Sequence, residues 1–247
     1  MKVETLTGYE FEILNRNLAI LPVGSVERHG NHLPLGTDTL IPEFISEKIA
    51  ERLNCLILPP VWYGSCKAMR NFLGTFDIPD EVLYKYLKCI MVEAHRNGMK
   101  LLVVINGHGG NSVPIAMAAR EAARETDISI LVVDWWKDLG LEALSKFTST
   151  GHAGEDETSA MLAVNGKLVK MDLAKSHPVQ YPSFKLYSKR LDERLYEIAL
   201  TGDATKADKE KGEYLLNAVV NDLIKLIEEA KRLLAISKQG GFYEYKL

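Results

Sequence analysis

The chain has no apolar run approaching the ~20 residues that a membrane-spanning helix needs. The opening Met1-Lys2-Val3-Glu4 is too acidic and too broken for a signal peptide. Cysteine is scarce. Cys55, Cys66 and Cys89 show no metal-type spacing, and an odd count without a secretory signal predicts free thiols in a reducing compartment. Cys55 and Cys89 fall in apolar runs and read as core. These features together predict a cytoplasmic protein. A long basic run is also missing, and the net charge is only -3, so neither nucleic acid nor an anionic membrane is favoured as a partner. Glutamine occurs only at Gln180 and Gln239 while lysine and glutamate are plentiful, a bias shared with thermophilic proteins. There is no internal repeat, low-complexity stretch or Pro/Ser-rich linker, so residues 1–247 read as one domain. A serine-hydrolase reading of His152 and Ser159 lacks its Gly-x-Ser-x-Gly elbow.

What remains is an ordinary globular composition, 47% apolar and 26% charged, with enough chain to bury a core. Apolar runs at Leu18–Pro22, Cys55–Leu58, Leu101–Ile105 and Ile128–Val133 read as buried strands. Helical patterns run from Thr39 to Leu53, Asp80 to Asn97, Val113 to Thr126 and Asp156 to Val164. Thr39 is the candidate cap of the first. Ser176 to Pro182 reads as irregular. A long amphipathic tail runs from Lys206 to Ser237 and ends at Gly240-Gly241. Strands alternating with helices predict a mostly parallel α/β sheet covered on both faces, with ligands at the carboxyl ends of its strands.

Three polar clusters carry the chemistry. The first is Gly24-Ser25-Val26-Glu27-Arg28-His29-Gly30-Asn31-His32-Leu33-Pro34, with Asp38 beyond it. The second is Asn106-Gly107-His108-Gly109-Gly110-Asn111, and the third runs from Gly151-His152-Ala153-Gly154 to Glu157-Thr158-Ser159. Clusters one and two directly follow predicted strands. Cluster three needs a long loop to fold back. Imidazole and carboxylate are the ligand types of zinc, manganese and iron. Glu27, His29, Asp38, His108 and Glu157 supply three carboxylates and two imidazoles, enough for two divalent ions if one carboxylate bridges. Such a pair activates a water as a bound hydroxide and suits hydrolysis of an amide or another carbon–nitrogen bond. His152 is then free to carry a proton to the departing nitrogen. Each residue also has a structural reading. Glu27-x-His29 could be a solvated loop, His108 a satisfied turn histidine, and Glu157 a carboxylate placed for its helix dipole.

These motifs, in this order, resemble the creatininase (creatinine amidohydrolase) family. Fainter echoes extend the resemblance at Gly74-Thr75, Gly202-Asp203 and Lys211-Gly212. The resemblance implies a three-layer α/β/α sandwich, two divalent metals (zinc first, manganese or iron as alternatives) and a homo-oligomer, often a hexamer. It also implies hydrolysis of a small-molecule amide, either a cyclic amide or a formamide, the latter as in a formamidopyrimidine ribonucleotide deformylase of archaeal flavin and deazaflavin synthesis. Carried over, Glu27, Asp38 and His108 hold one metal, His29 and Asp38 the other, and His152 is catalytic.

Two departures bear on substrate. Creatininase carries a metal-binding glutamate two residues after the histidine of the second cluster. Here that position is Gly110, and Glu157 is the expected replacement. A histidine common before Gly74-Thr75 is replaced by Met69, flanked by Lys67 and Arg70, which could attract a phosphorylated or carboxylated substrate or be solvated surface charges. Trp135 and Trp136 are candidates for an apolar wall of the site, and equally for core or a subunit interface. The rival from another class is a homologue that keeps the fold without turnover, as a metal-binding or scaffold protein.

Overall fold

The computed structural model describes residues 1–184 and 186–237, so the expected helix end at Gly240-Gly241 lies outside the described residues. The elements are, in chain order, α1 (Gly8–Ile13), β1 (Leu18–Val23), α2 (Thr37–Leu53), β2 (Leu56–Ile57), α3 (Asp80–Arg96), β3 (Leu101–Asn106), α4 (Ser112–Glu125) and β4 (Ser129–Asp134). Then follow α5 (Trp135–Asp138), α6 (Leu141–Leu144), α7 (Glu155–Asn165), β5 (Ser176–His177), α8 (Lys189–Leu195), β6 (Gly202–Asp203) and α9 (Lys209–Ser237).

Four strands form one parallel sheet in the order β2-β1-β3-β4. Alternation along a strand sends successive side chains to opposite faces. Leu18 and Ile20 of β1 with Leu101, Val103 and Ile105 of β3 therefore pack against α2, α7 and α9. Ala19, Leu21 and Val23 with Leu102 and Val104 pack against α3 and α4. Both faces are covered, as the continuous apolar runs require, and the result is the expected three-layer α/β/α sandwich.

The strand order places the site. From β1 the chain crosses through α2 to β2 on one side, then returns through α3 to β3 on the other. The loops after β1 and β3 thus diverge at adjacent carboxyl ends, where a crevice opens. The second cluster starts at the last residue of β3, Asn106, and the first begins right after β1.

Two local expectations are corrected. Thr39 lies inside α2 and does not cap it. The cap position is Gly36, which has no side chain to offer, and Asp38 stands in the first turn. The stretch from Ser176 is not wholly irregular, because Ser176 and His177 pair antiparallel with Asp203 and Gly202. The short helices α1 and α8 carry no clear apolar period. A capping box between Thr7 and Glu10 starts α1.

Candidate metal centre

Asp38 is the hub. Its carboxylate sits at the N-terminus of α2, where the helix dipole favours negative charge. One oxygen, Oδ1, lies 2.9 Å from His29 Nε2, and the other, Oδ2, lies 3.0 Å from His108 Nδ1. Glu27 Oε1 is 3.3 Å from the same His108 nitrogen, and Glu157 Oε2 is 3.6 Å from His29 Nε2. Two groups of candidate ligands meet at one carboxylate: Glu27 and His108 on one side, His29 and Glu157 on the other. The helix that supplies Glu157, α7, is fixed at its start by Glu155. That carboxylate accepts from the backbone N–H of Thr148 (2.8 Å) and Ser149 (3.0 Å) and from Lys211 Nζ (2.8 Å) of α9.

The backbone decides which nitrogen of each imidazole faces inward. A carbonyl only accepts, so a ring nitrogen beside one must donate. His29 Nδ1–H donates to the Glu27 carbonyl (3.1 Å), His108 Nε2–H to that of Ser65 (2.7 Å), and His152 Nε2–H to that of Arg28 (2.9 Å). The remaining nitrogen of each ring points at the carboxylates. This tie of the outer N–H is the arrangement that orients histidines that ligate metals. His152 Nδ1 lies 3.6 Å from Glu27 Oε1, and its ring lies 4.3 Å from that of His29.

The heart of the centre is buried. Glu27, His29 and Asp38 are at most 2% exposed. Burial alone would lower the pKa of His29 and His108, but the facing carboxylates win and raise both well above the usual imidazole value. Burial likewise pushes Asp38 and Glu27 up, and the histidines overturn that and hold both low. The cluster therefore carries charges that attract each other where water cannot screen them. Glu27 Oε2 is left buried with no hydrogen-bond partner, which costs free energy unless something positive sits against it. Asp156, beside Glu157, is pushed up to about 7 by burial and by that neighbour.

Two glycines explain the chain's close approach here. A Cβ on Gly107 would stand 1.8 Å from the Asp38 carbonyl oxygen, so only glycine lets the end of β3 touch the start of α2. A Cβ on Gly110 would stand 1.9 Å from the Ser65 carbonyl oxygen. No glutamate fits there, and the carboxylate that faces His29 instead is that of Glu157.

The centre is the floor of a cleft of about 840 Å³. Its walls include Trp135 and Trp136 after β4, Lys67, and Tyr181, Tyr187, Asp192 and Tyr196 from the segment around α8. Trp135 is also fully packed in the core, whereas Trp136 is half-buried. Lys67 is ion-paired with Asp80, and Arg70 is exposed and off the cleft wall. His32, within the first cluster, stands outside the centre. Its Nε2 meets Thr158 Oγ1 at 2.9 Å, and burial lowers its pKa to about 4. Sequence reasoning missed Cys66, Ser25 and the tyrosines. Ser25 Oγ donates to Asp38 Oδ2 at 2.7 Å, and Cys66 lies beside Glu27 and His108. Ser25 sat within a quoted motif, but Cys66 had no spacing to betray it.

The creatininase family model, described as creatinine amidohydrolase, matches residues 4–227. The chain belongs to the creatininase family. This family member is 30% identical over 231 residues to the creatinine amidohydrolase of Pseudomonas putida, covering 85% of this chain and 88% of that one. It is 29% identical over 222 residues to the mycofactocin precursor peptide peptidase of Mycobacterium ulcerans (strain Agy99), covering 84% and 83%. Among solved structures, a manganese creatininase superposes with a TM-score of 0.83 at 28% identity, covering 93% of this chain and 98% of that one. Named relatives thus span a creatinine amidohydrolase and a peptide peptidase. Among the described residues, no helix is long and apolar enough to cross a membrane.

Proposed function

We propose that this chain is a divalent-metal-dependent amidohydrolase that cleaves a carbon–nitrogen bond of a small molecule. The observation that carries the reading is the Asp38 carboxylate, split between two inward-facing imidazole nitrogens whose outer N–H groups are held by backbone carbonyls. The residues fit a pair of cations: the donors are imidazole and carboxylate, and the buried Glu27 Oε2 has no other partner. Glu27, Asp38 and His108 would hold one ion, and His29, Asp38 and Glu157 the other, with zinc the first expectation and manganese or iron the alternatives. Ions there would polarise the scissile carbonyl and make a water nucleophilic near neutral pH.

The chain's own residues supply the proton traffic. His152 keeps Nε2–H on the Arg28 carbonyl, so Nδ1 is the atom that exchanges a proton. It takes one from the attacking water and gives it to the departing nitrogen, as a positioned acid–base imidazole does. The backbone N–H of His152 donates to Thr201 Oγ1 (2.9 Å), which also accepts from the Tyr181 hydroxyl (3.0 Å), so the backbone that carries the ring is anchored at Thr201. Among the described residues lining the cleft, Lys67 is the one lysine or arginine, and it is already paired with Asp80, while Asp156 and Asp192 also line it. A neutral or cationic amide therefore suits the walls better than a phosphorylated formamide. The homo-oligomer is part of the same proposal and is read by light scattering.

The test is metal content by elemental analysis, run with hydrolysis assays on creatinine, simple formamides, a formamidopyrimidine ribonucleotide and short peptides. Two ions per chain with turnover of an uncharged or cationic amide is the expected result. Formate released from the ribonucleotide would select the deformylase reading. Bound metal with no turnover on any of them would favour a scaffold, and no metal at all would overturn the proposal.

A further inference from the structure

The three cysteines occupy different surroundings. Cys55 packs, as expected, in the apolar cluster on the α2 side of the sheet, whereas Cys89, expected in the core, is exposed on α3. Cys66 is 1% exposed and yet borders the cleft. Its Sγ, a Glu27 carboxylate oxygen and a His108 ring nitrogen all lie within 4.8 Å of one another. The loop that carries it is fixed to the centre. Cys66 N–H donates to Asp77 Oδ1 (2.8 Å), the Ser65 carbonyl takes the His108 N–H (2.7 Å), and Ser65 N–H donates to Asn111 Oδ1 (2.9 Å). The thiol's contact with the Gly64 carbonyl, at 3.6 Å, is weak. Independently, Glu27 Oε2 is buried and unpartnered in the same corner.

We propose that Cys66 is a further ligand of the ion held by Glu27, Asp38 and His108, an inference that rests on the two-ion reading above. The thiol binds as thiolate: its S–H bond breaks, a metal–sulfur bond forms, and the proton leaves to solvent. In a tetrahedral zinc site, sulfur and nitrogen donors stand roughly 3.6 Å apart, so side-chain shifts of about 1 Å close the present spread.

The consequence is an asymmetric pair. One position has four protein donors, the number that zinc fills in closed sites. The other has His29, Asp38 and Glu157, and keeps a place open for water or substrate. Thiolate is a soft ligand that favours zinc, whereas manganese prefers oxygen. The first position therefore selects zinc and holds it, while the second exchanges more freely.

The experiment is cobalt(II) loading of the full-length protein in a Cys89→Ser background, which removes the exposed thiol, with and without Cys66→Ser. The background protein is expected to show an intense near-ultraviolet sulfur-to-cobalt charge-transfer band. Cys66→Ser should lose that band, retain the weaker visible cobalt bands, and bind zinc about tenfold more weakly or worse, with manganese affinity little changed. Cobalt bound without the band, or a band that survives Cys66→Ser, overturns the assignment and leaves the two-ion reading intact. Failure to bind cobalt at all overturns both. Zinc-edge X-ray absorption on the unsubstituted, zinc-loaded protein gives the answer without relying on a variant that folds. One sulfur neighbour per two zinc ions, at about 2.3 Å, is expected, and a shell of nitrogen and oxygen alone overturns the proposal.

Discussion

The two rims of the cleft are built in opposite ways. The inner rim comes from the loops after β1 and β3, where Glu27, His29 and Asp38 are at most 2% exposed and each imidazole is tied to a backbone carbonyl. The outer rim comes from the segment around α8, where Tyr181 is 48% and Tyr187 90% exposed. The inner rim can hold charges in place because hydrogen bonds within its loops, Glu27 N–H to the Leu35 carbonyl (3.0 Å) and Ser65 N–H to Asn111 Oδ1 (2.9 Å), fix the segments whose carbonyls orient the imidazoles. The outer rim offers aromatic surface with few ties. On the proposed function, bond breaking falls to the inner rim and substrate choice to the outer one, in keeping with relatives named for substrates as different as creatinine and a peptide. Substitutions on the two sides should therefore fail in different ways.

The largest effect is expected at the hub. Asp38→Asn alters the carboxylate that the proposal gives to both ions and that His29 and His108 share as a partner. Both metals and nearly all activity should be lost, as read by elemental analysis and by turnover. Two retained ions would show that Asp38 does not bridge. His152→Ala comes next. It should keep both metals and slow turnover by about 10²–10⁴-fold, the range for removing a positioned acid–base group. Loss of one metal would instead make His152 a ligand, a role its 3.6 Å approach to Glu27 leaves open to test.

The inner rim was legible in the sequence because its residues lie in short motifs directly after apolar strands. Glu27, His29, Asp38 and His108 each follow β1 or β3 closely, and a parallel sheet delivers such positions to one edge. Glu157 and His152 were legible only through their motif, since a long excursion through α5 and α6 separates them from β4. Cys66 was hidden because its partners are remote in sequence: Glu27 lies before it and His108 well after it. The same holds for Tyr181, whose partner Thr201 comes from the far side of α8. Lys67 illustrates the converse. Its charge was visible, but its partner Asp80, thirteen residues on, was not.

Gly110→Glu would restore the glutamate that creatininase carries at this place, and it sharpens the contrast from the inner side. The Ser65 carbonyl oxygen would stand 1.9 Å from the new Cβ, and that oxygen also receives the His108 N–H. Backbone cannot step aside as a flexible side chain can, so we expect a loss of about 1–3 kcal/mol or more of stability, with weaker metal binding. A lowered melting temperature in the metal-free protein checks the first part. A variant as stable as the parent, with tighter metal binding, would show that the loop after β3 yields and that Glu157 has not taken the glutamate's place.

The smallest effect belongs to the outer rim. Tyr187 lines the cleft, is 90% exposed and stands well outside the metal centre. Tyr187→Ala removes aromatic surface without leaving a cavity in the core, so folding and metal content should stay unchanged. Contact with an aromatic face is worth about 0.5–1.5 kcal/mol, which corresponds to a roughly 2- to 12-fold rise in KM. The turnover number should hold, because the loss falls equally on bound substrate and transition state. If kcat fell with KM unchanged, Tyr187 would act on the reacting atoms, and the division of labour between the two rims would fail at its outer edge. If neither changed for any amide that is turned over, the exposed tyrosine would have no part in binding, and the specificity of the site would have to come from the more deeply set Tyr196 and Trp136.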